Sequence, residues 1–315
     1  QMGYGTVAFG LGCNLACSSI ANAPLWFAAR QYLHDGGIVT CDSVYFARVQ
    51  SALPAYPSYQ MRSGTLTAKG ATGIGLGISG MGTPTSLPNS GGIFQMTGGT
   101  VTTTCFRVEQ PTSQLLLQGG EVFLGSGGIT SSVAANGTVS LGAATVRATA
   151  AWGSSLPITL AALPGSTAVI DTGSYGVTLN GALTGSGWLT KTGPGTLYLN
   201  GSNSFTGRLT VDGGTVTCGA GSYLNGVTEI MATNGALVVN GTLGAAGLTL
   251  RLGGFGNLTL PAGSELTVAR LYTNGVLLAA GSYAFGGATV TVSANTQVVW
   301  TGAANDGNLW STTNN

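Results

Sequence analysis

One pentapeptide occurs twice in this chain, and its looser copies recur at a nearly fixed interval. Gly98-Gly99-Thr100-Val101-Thr102 returns unchanged as Gly213-Gly214-Thr215-Val216-Thr217. Related tetrapeptides start at Gly120, Gly137, Gly195, Gly235 and Gly256. From Gly195 onward the leading glycines stand at 195, 214, 235, 256 and 275, with gaps of 19, 21, 21 and 19. Upstream, 99 to 120 is 21 and 120 to 137 is 17. Weaker copies at Pro157-Ile158-Thr159-Leu160 and Gly176-Val177-Thr178-Leu179 divide the long gap between 137 and 195, with their apolar phase shifted by one. Self-similarity at such a period marks a chain in which each repeat stacks on its neighbours.

Each copy alternates apolar residues with Thr or Ser, so one side of a short strand is buried and the other exposed. Asn-Gly pairs at Asn136, Asn180, Asn200, Asn225, Asn234, Asn240 and Asn274 supply the positive φ of tight corners. Helical periodicity is almost absent after residue 60. Short strands, corners and a period of about 20 residues describe one turn of a parallel β-solenoid, with turns about 4.8 Å apart. Twelve turns are expected over residues 60–300, a rod of roughly 55–60 Å. The competing arrangement is a sandwich of antiparallel hairpins, for which Asn-Gly is also the turn signal; the near-constant spacing favours the solenoid.

Composition excludes other classes. Of 315 residues, 54 are Gly and only 6% are charged, with Lys plus Arg 10 against Asp plus Glu 9. Ten scattered cations do not make the basic face that nucleic acid requires. Hydrophobic residues at 43% exclude charged disorder. The most apolar stretch, residues 6–23, is broken by Gly and Asn and does not read as a membrane span. Gln1 reads as a mature end.

Residues 185–217 carry a denser pattern: Gly185-x-Gly187-x-Leu189-x-Lys191-x-Gly193-x-Gly195-x-Leu197-x-Leu199-x-Gly201-x-Asn203-x-Phe205-x-Gly207, then a strand and Gly213-Gly214-Thr215-Val216. This resembles the passenger-associated transport repeat of bacterial autotransporters. The resemblance implies a right-handed parallel β-helix displayed outside the bacterial cell. Segments around Leu271–Tyr283 and Trp300–Asp306 are similar to others in large repetitive bacterial surface proteins.

Three regions are expected: a cap or docking segment over 1–60, the solenoid over 61–299, and a tail over 300–315. Residues 22–37 read as a short helical cap, with Asn22 as N-cap, Pro24 in the first turn, Gly36 or Gly37 as the stop, and an apolar stripe of Leu25, Ala28, Ala29, Tyr32 and Leu33. An open solenoid end exposes unpaired backbone, so something must cover it. Trp26, Phe27, Trp300 and Trp310 are the candidate assembly residues. Of five cysteines, Cys13, Cys17, Cys41 and Cys105 are candidates for disulfides, leaving one thiol over.

No catalytic, cofactor or metal site is legible. His34 is the only histidine. Asp171 and Asp212 lie 41 residues apart, two turns, with Lys191 and Arg208 near them in sequence; an Asp-Gly turn also explains Asp212. The leading expectation is an extracellular, non-enzymatic structural protein that assembles with itself head to tail into a surface fibre. The alternative is an adhesin passenger gripping a glycan or host surface, and the third is a polysaccharide-active β-helix enzyme.

Overall fold

The computed structural model describes residues 31–41, 43–46, 58–77, 91–132, 137–162, 167–244, 247–254 and 257–293, and the backbone of the short strands 6–9, 14–16, 25–27, 296–299 and 311–314. These residues form a parallel β-solenoid of about nine turns with a period near 21 residues. Each turn has three sides. In one turn the first face is Leu183–Gly185, the second Trp188–Thr192 and the third Thr196–Leu199. Every side pairs in parallel with its counterpart one turn on: Ile158 with Leu183, Leu189 with Leu209, Leu197 with Val216. Parallel register excludes the hairpin sandwich.

Nine turns, and not twelve, follow from turn length. Leu209, Ile230, Leu250 and Leu271 are aligned at steps of 21, 20 and 21. Upstream, Leu66 aligns with Val101 and Val122 with Val146, steps of 35 and 24. At about 4.8 Å per step the nine turns span ~43 Å. Past Thr273 two hairpins interrupt the pattern: Val276–Leu277 folds back antiparallel on Arg270–Thr273, and Gly281–Phe285 pairs antiparallel with Ala288–Val292, which itself stacks in parallel on Glu265–Val268.

The two identical pentapeptides lie on different faces. Thr100–Thr103 pairs with 65–68 and 121–124 on the second face, while Thr215–Cys218 belongs to the third. Likewise Val139 aligns with Leu115 on the first face, not with Val122. A glycine followed by alternation marks any of the three corners, so copies one period apart need not be stacked.

The alternation places its apolar residues inside. Val101, Val122, Val139, Leu197, Val216, Leu237 and Leu258 are all buried in one continuous core. The Asn-Gly corners act differently from expectation. Among the described Asn-Gly asparagines only Asn274 has positive φ, 49°, in the hairpin turn with Gly275 at 77°. Elsewhere the glycine is required by stacking: a Cβ on Gly181 would collide with Leu156 O, and one on Gly201 with Gly181 O. Turns a strand spacing apart leave no room for a side chain there.

The expected helix over 22–37 is replaced by strand where the chain is described. Leu25–Phe27 and Gln31–Cys41 are strands, and Leu25–Phe27 pairs in parallel with Val44–Phe46. Tyr32 and His34 are both buried, a spacing of two that puts them on one side of a strand. The apolar stripe matched a helix only because Tyr32 serves both periods. Pairing also crosses the expected boundary at 60, since Gln31–Cys41 aligns with Ser58–Ala68. Residues 22–24 and 28–30 lie outside the described residues. No helix among the described residues is long and apolar enough to cross a membrane.

Candidate functional site

Charge is segregated over the middle of this solenoid, although Arg107 lies on the third face above it and Glu265 on the first face below it. From Thr138 to Thr259 the strands of the first face (138–141, 158–160, 183–185, 202–203, 223–224 and 242–243) carry no charged residue. Neither do those of the third face (152–154, 176–179, 196–199, 215–218, 236–239 and 258–259). Every turn of the second face carries at least one.

The upper part of that face is an ion ladder. Arg147 lies between Glu121 and Asp171, one turn to either side, and bonds both: Nη2 to Glu121 Oε1 at 3.0 Å and Nη1 to Asp171 Oδ2. These acids hold the guanidinium pKa above its ordinary value. The lower part adds rings. Arg208 Cζ sits 4.2 Å from the Trp188 ring centroid, and Arg208 Nη1 lies 3.7 Å from Glu229 Oε2. Arg251 Nε donates to Glu229 Oε1 at 2.6 Å, and Arg251 Cζ sits 4.0 Å from the Tyr272 ring centroid. Trp188 is 45% exposed.

Beneath this face Lys191 occupies a core position, aligned with Ile170 above and Val211 below, and is fully buried. Its Nζ donates to three carbonyls at the corner: Thr192 O at 3.1 Å, Gly193 O at 2.5 Å and Gly213 O at 3.0 Å. Burial lowers its pKa to about 8, against the pull of Asp171. Asn203 plays the matching part at another corner: its Oδ1 accepts from Leu183 N at 3.0 Å and its Nδ2 donates to Gly201 O at 2.8 Å. Both side chains satisfy backbone groups where strand pairing stops.

The expected acid pair is brought together and accounted for. Asp171 and Asp212 share one column, with Thr192 between them. Asp171 is held by Arg147 and by Gly173 N, and Asp212 accepts from Asn234 Nδ2 at 2.7 Å. Lys191 faces inward and Arg208 lies on Trp188, so neither serves those carboxylates. No group of three or more His, Cys, Asp or Glu among the described residues is placed to hold a metal ion. His34 is a core residue, its Nδ1 2.7 Å from Tyr59 Oη, with its pKa lowered by burial.

Cys41 and Cys105 form no disulfide. Both are buried thiols, with Sγ bonded to Thr67 O and Ala71 O at 3.6 and 3.8 Å. They pack as small apolar groups on inward positions. Cys13 and Cys17 lie outside the described residues, as do Trp300 and Trp310. The backbone of Trp26 and Phe27 pairs with Tyr45 and Phe46.

Sequence reading missed Trp188, Glu229, Arg251, Arg270 and Tyr272. Their signal was there: Trp188, Arg208, Glu229, Arg251 and Tyr272 recur at intervals of 20, 21, 22 and 21, the period of the core.

Residues 189–217 match the family described as the passenger-associated-transport-repeat. The matched segment is a little over one turn. Its alternating residues Leu189, Lys191, Leu197, Leu199, Asn203 and Phe205 are all fully buried, so the motif records the inside of the solenoid. No curated protein and no solved structure matches the chain. The repeat and the parallel turns that surround it make this chain an autotransporter-passenger-like β-helix.

Proposed function

We propose that this chain is the rod of a surface-displayed, non-enzymatic passenger that binds through its second face. The observation that carries this is the segregation of charge: from Thr138 to Thr259 the strands of two faces carry none, while those of the second carry arginines, acids and a half-exposed tryptophan. Folding alone has no need to collect charge on one of three chemically similar faces. The similarity to the transport repeat supports a place outside a bacterial cell. The test is an array of glycans and matrix proteins probed with the parent and with Arg208→Gln/Arg251→Gln/Arg270→Gln. Signals carried by the parent and lost in the variant support the reading; an array blind to both overturns it.

Head-to-tail fibre formation is the second reading. It is favoured by the C-terminal hairpin strand Val276–Leu277, whose residues are 62% and 40% exposed. Negative-stain images of long uniform fibres, shortened by removal of residues 1–19, would establish it. Single short rods at high concentration would end it.

A further inference from the structure

We propose that the strip from Trp188 to Tyr272 binds a linear acidic glycan, a polysaccharide bearing carboxylate or sulfate groups; this rests on the reading of the second face as a binding surface and names its ligand class. The strip is continuous. Trp188, Arg208, Glu229, Arg251 and Tyr272 occupy five successive turns, each touching the next through a ring stack or an ion pair. At ~4.8 Å per turn it runs ~19 Å along the rod axis, the shape of an extended polymer and not of a single sugar.

Its chemistry suits such a polymer. Aromatic surface at both ends stacks on the C–H faces of sugar rings. Between them lie planar guanidinium groups, which pair bidentately with carboxylate or sulfate. Both stacked arginines are already held against rings, so little side-chain freedom remains to be lost on binding. With Arg270, aligned with Thr249 on the same face, three arginines stand against Glu229 and Asp212, an excess of one positive charge that is concentrated away from Asp212, at the Trp188 and Tyr272 ends of the strands. Arg208 is also loosely held: its Nη1 lies 3.7 Å from Glu229 Oε2 on a side chain 32% exposed, so its terminal nitrogens can pair with an anionic oxygen. The neighbouring Thr190 and Thr210 offer hydroxyls for sugar oxygens. The third face from Trp152 to Thr259, with Tyr198 exposed and no charged residue on its strands, is the internal control.

The test is calorimetric titration of the purified chain with oligogalacturonate, with its methyl ester, and with oligo-dT. Parent, Trp188→Ala, Arg208→Gln/Arg251→Gln and Tyr198→Ala are compared, each first shown to keep the parent's β-rich circular dichroism. The expected result is saturable oligogalacturonate binding that falls about tenfold in either strip variant, stays unchanged in Tyr198→Ala and weakens with salt. No binding by the parent, equal losses in Tyr198→Ala, or tighter binding of oligo-dT overturns the proposal. So does a methyl ester that binds as well as the acid. In that last case, if the array signals still require the arginines, the binding-face reading survives and only the ligand class is wrong.

Discussion

Between Tyr59 and Ile129 the core carries three rings in contact, Tyr59, Phe94 and Phe106, among aliphatic residues; between Leu189 and Leu271 it is filled mainly with leucine and valine. In the upstream region Tyr59 stacks on Phe94 at 5.5 Å between centroids, and Phe94 packs against Phe106 at 5.8 Å. Strands there run 16 and 17 residues without a break, bending round the corners. Downstream the strands are two to five residues long and the turn settles at 20 or 21. Yet the step from Phe94 to Leu115 is 21 residues, as it is from Leu209 to Ile230. The difference teaches that turn length does not choose the side chains of the core: close packing is reached with stacked rings in one region and with leucine and valine in the other.

Because a solenoid turn touches only its neighbours, damage in one region should stay there. The largest expected effect is Val216→Asp, which buries an unpaired carboxylate in the downstream core and costs on the order of 4 kcal/mol. Hydrogen exchange should show residues 196–239 losing protection while 93–130 keep it; loss in both regions at once would mean that the two are a single cooperative unit.

Next is Phe94→Ala against Leu197→Ala. The ring deletion should cost about 3–5 kcal/mol and the leucine about 2–4 kcal/mol, measured by denaturant unfolding. A larger loss at Leu197 would break the idea that the stacked rings are the main anchor of the upstream core.

Lys191→Met comes third. Three corner carbonyls lose their shared donor, for about 1–3 kcal/mol. It also separates the regions by pH. The folded-state pKa of Lys191 lies near 8, below the ordinary 10.5, so between those values the unfolded chain holds the extra proton. The parent should therefore gain stability as pH rises through that window, and the variant should lack that gain. Upstream, on Gln31–Cys41, His34, held below its ordinary 6.5 by burial, acts in acid. Its contribution is present above 6.5 and is lost as pH falls below it. Smallest is Arg147→Ala, an ion pair on a side chain 39% exposed, worth less than about 1 kcal/mol and sensitive to salt.

Much of this was legible in the residues. Alternation named the core, and Val101, Val216 and Leu258 are where it put them. The 185–217 pattern pointed to the family type because it spells one turn of interior, from Leu189 to Phe205. The N-terminal strand was misread because Tyr32 fits a period of 3.6 and a period of 2 alike. The charged face was missed because Trp188, Arg208, Glu229, Arg251 and Tyr272 each lie a full turn from the next, so no short window of sequence shows them together.

By itself, then, the sequence determined the parallel stack, the inward residues and the scarcity of charge, since these follow from local alternation and from glycine at corners. Tertiary structure alone decided which face each copy occupies. Gly98–Thr102 and Gly213–Thr217 are identical in sequence, yet one leads into the second face and the other into the third. The physical reason is that a strand's own residues fix only which side is buried. Which neighbours it meets depends on how many residues the preceding turn used, and that sum is set by the whole path of the chain around the core.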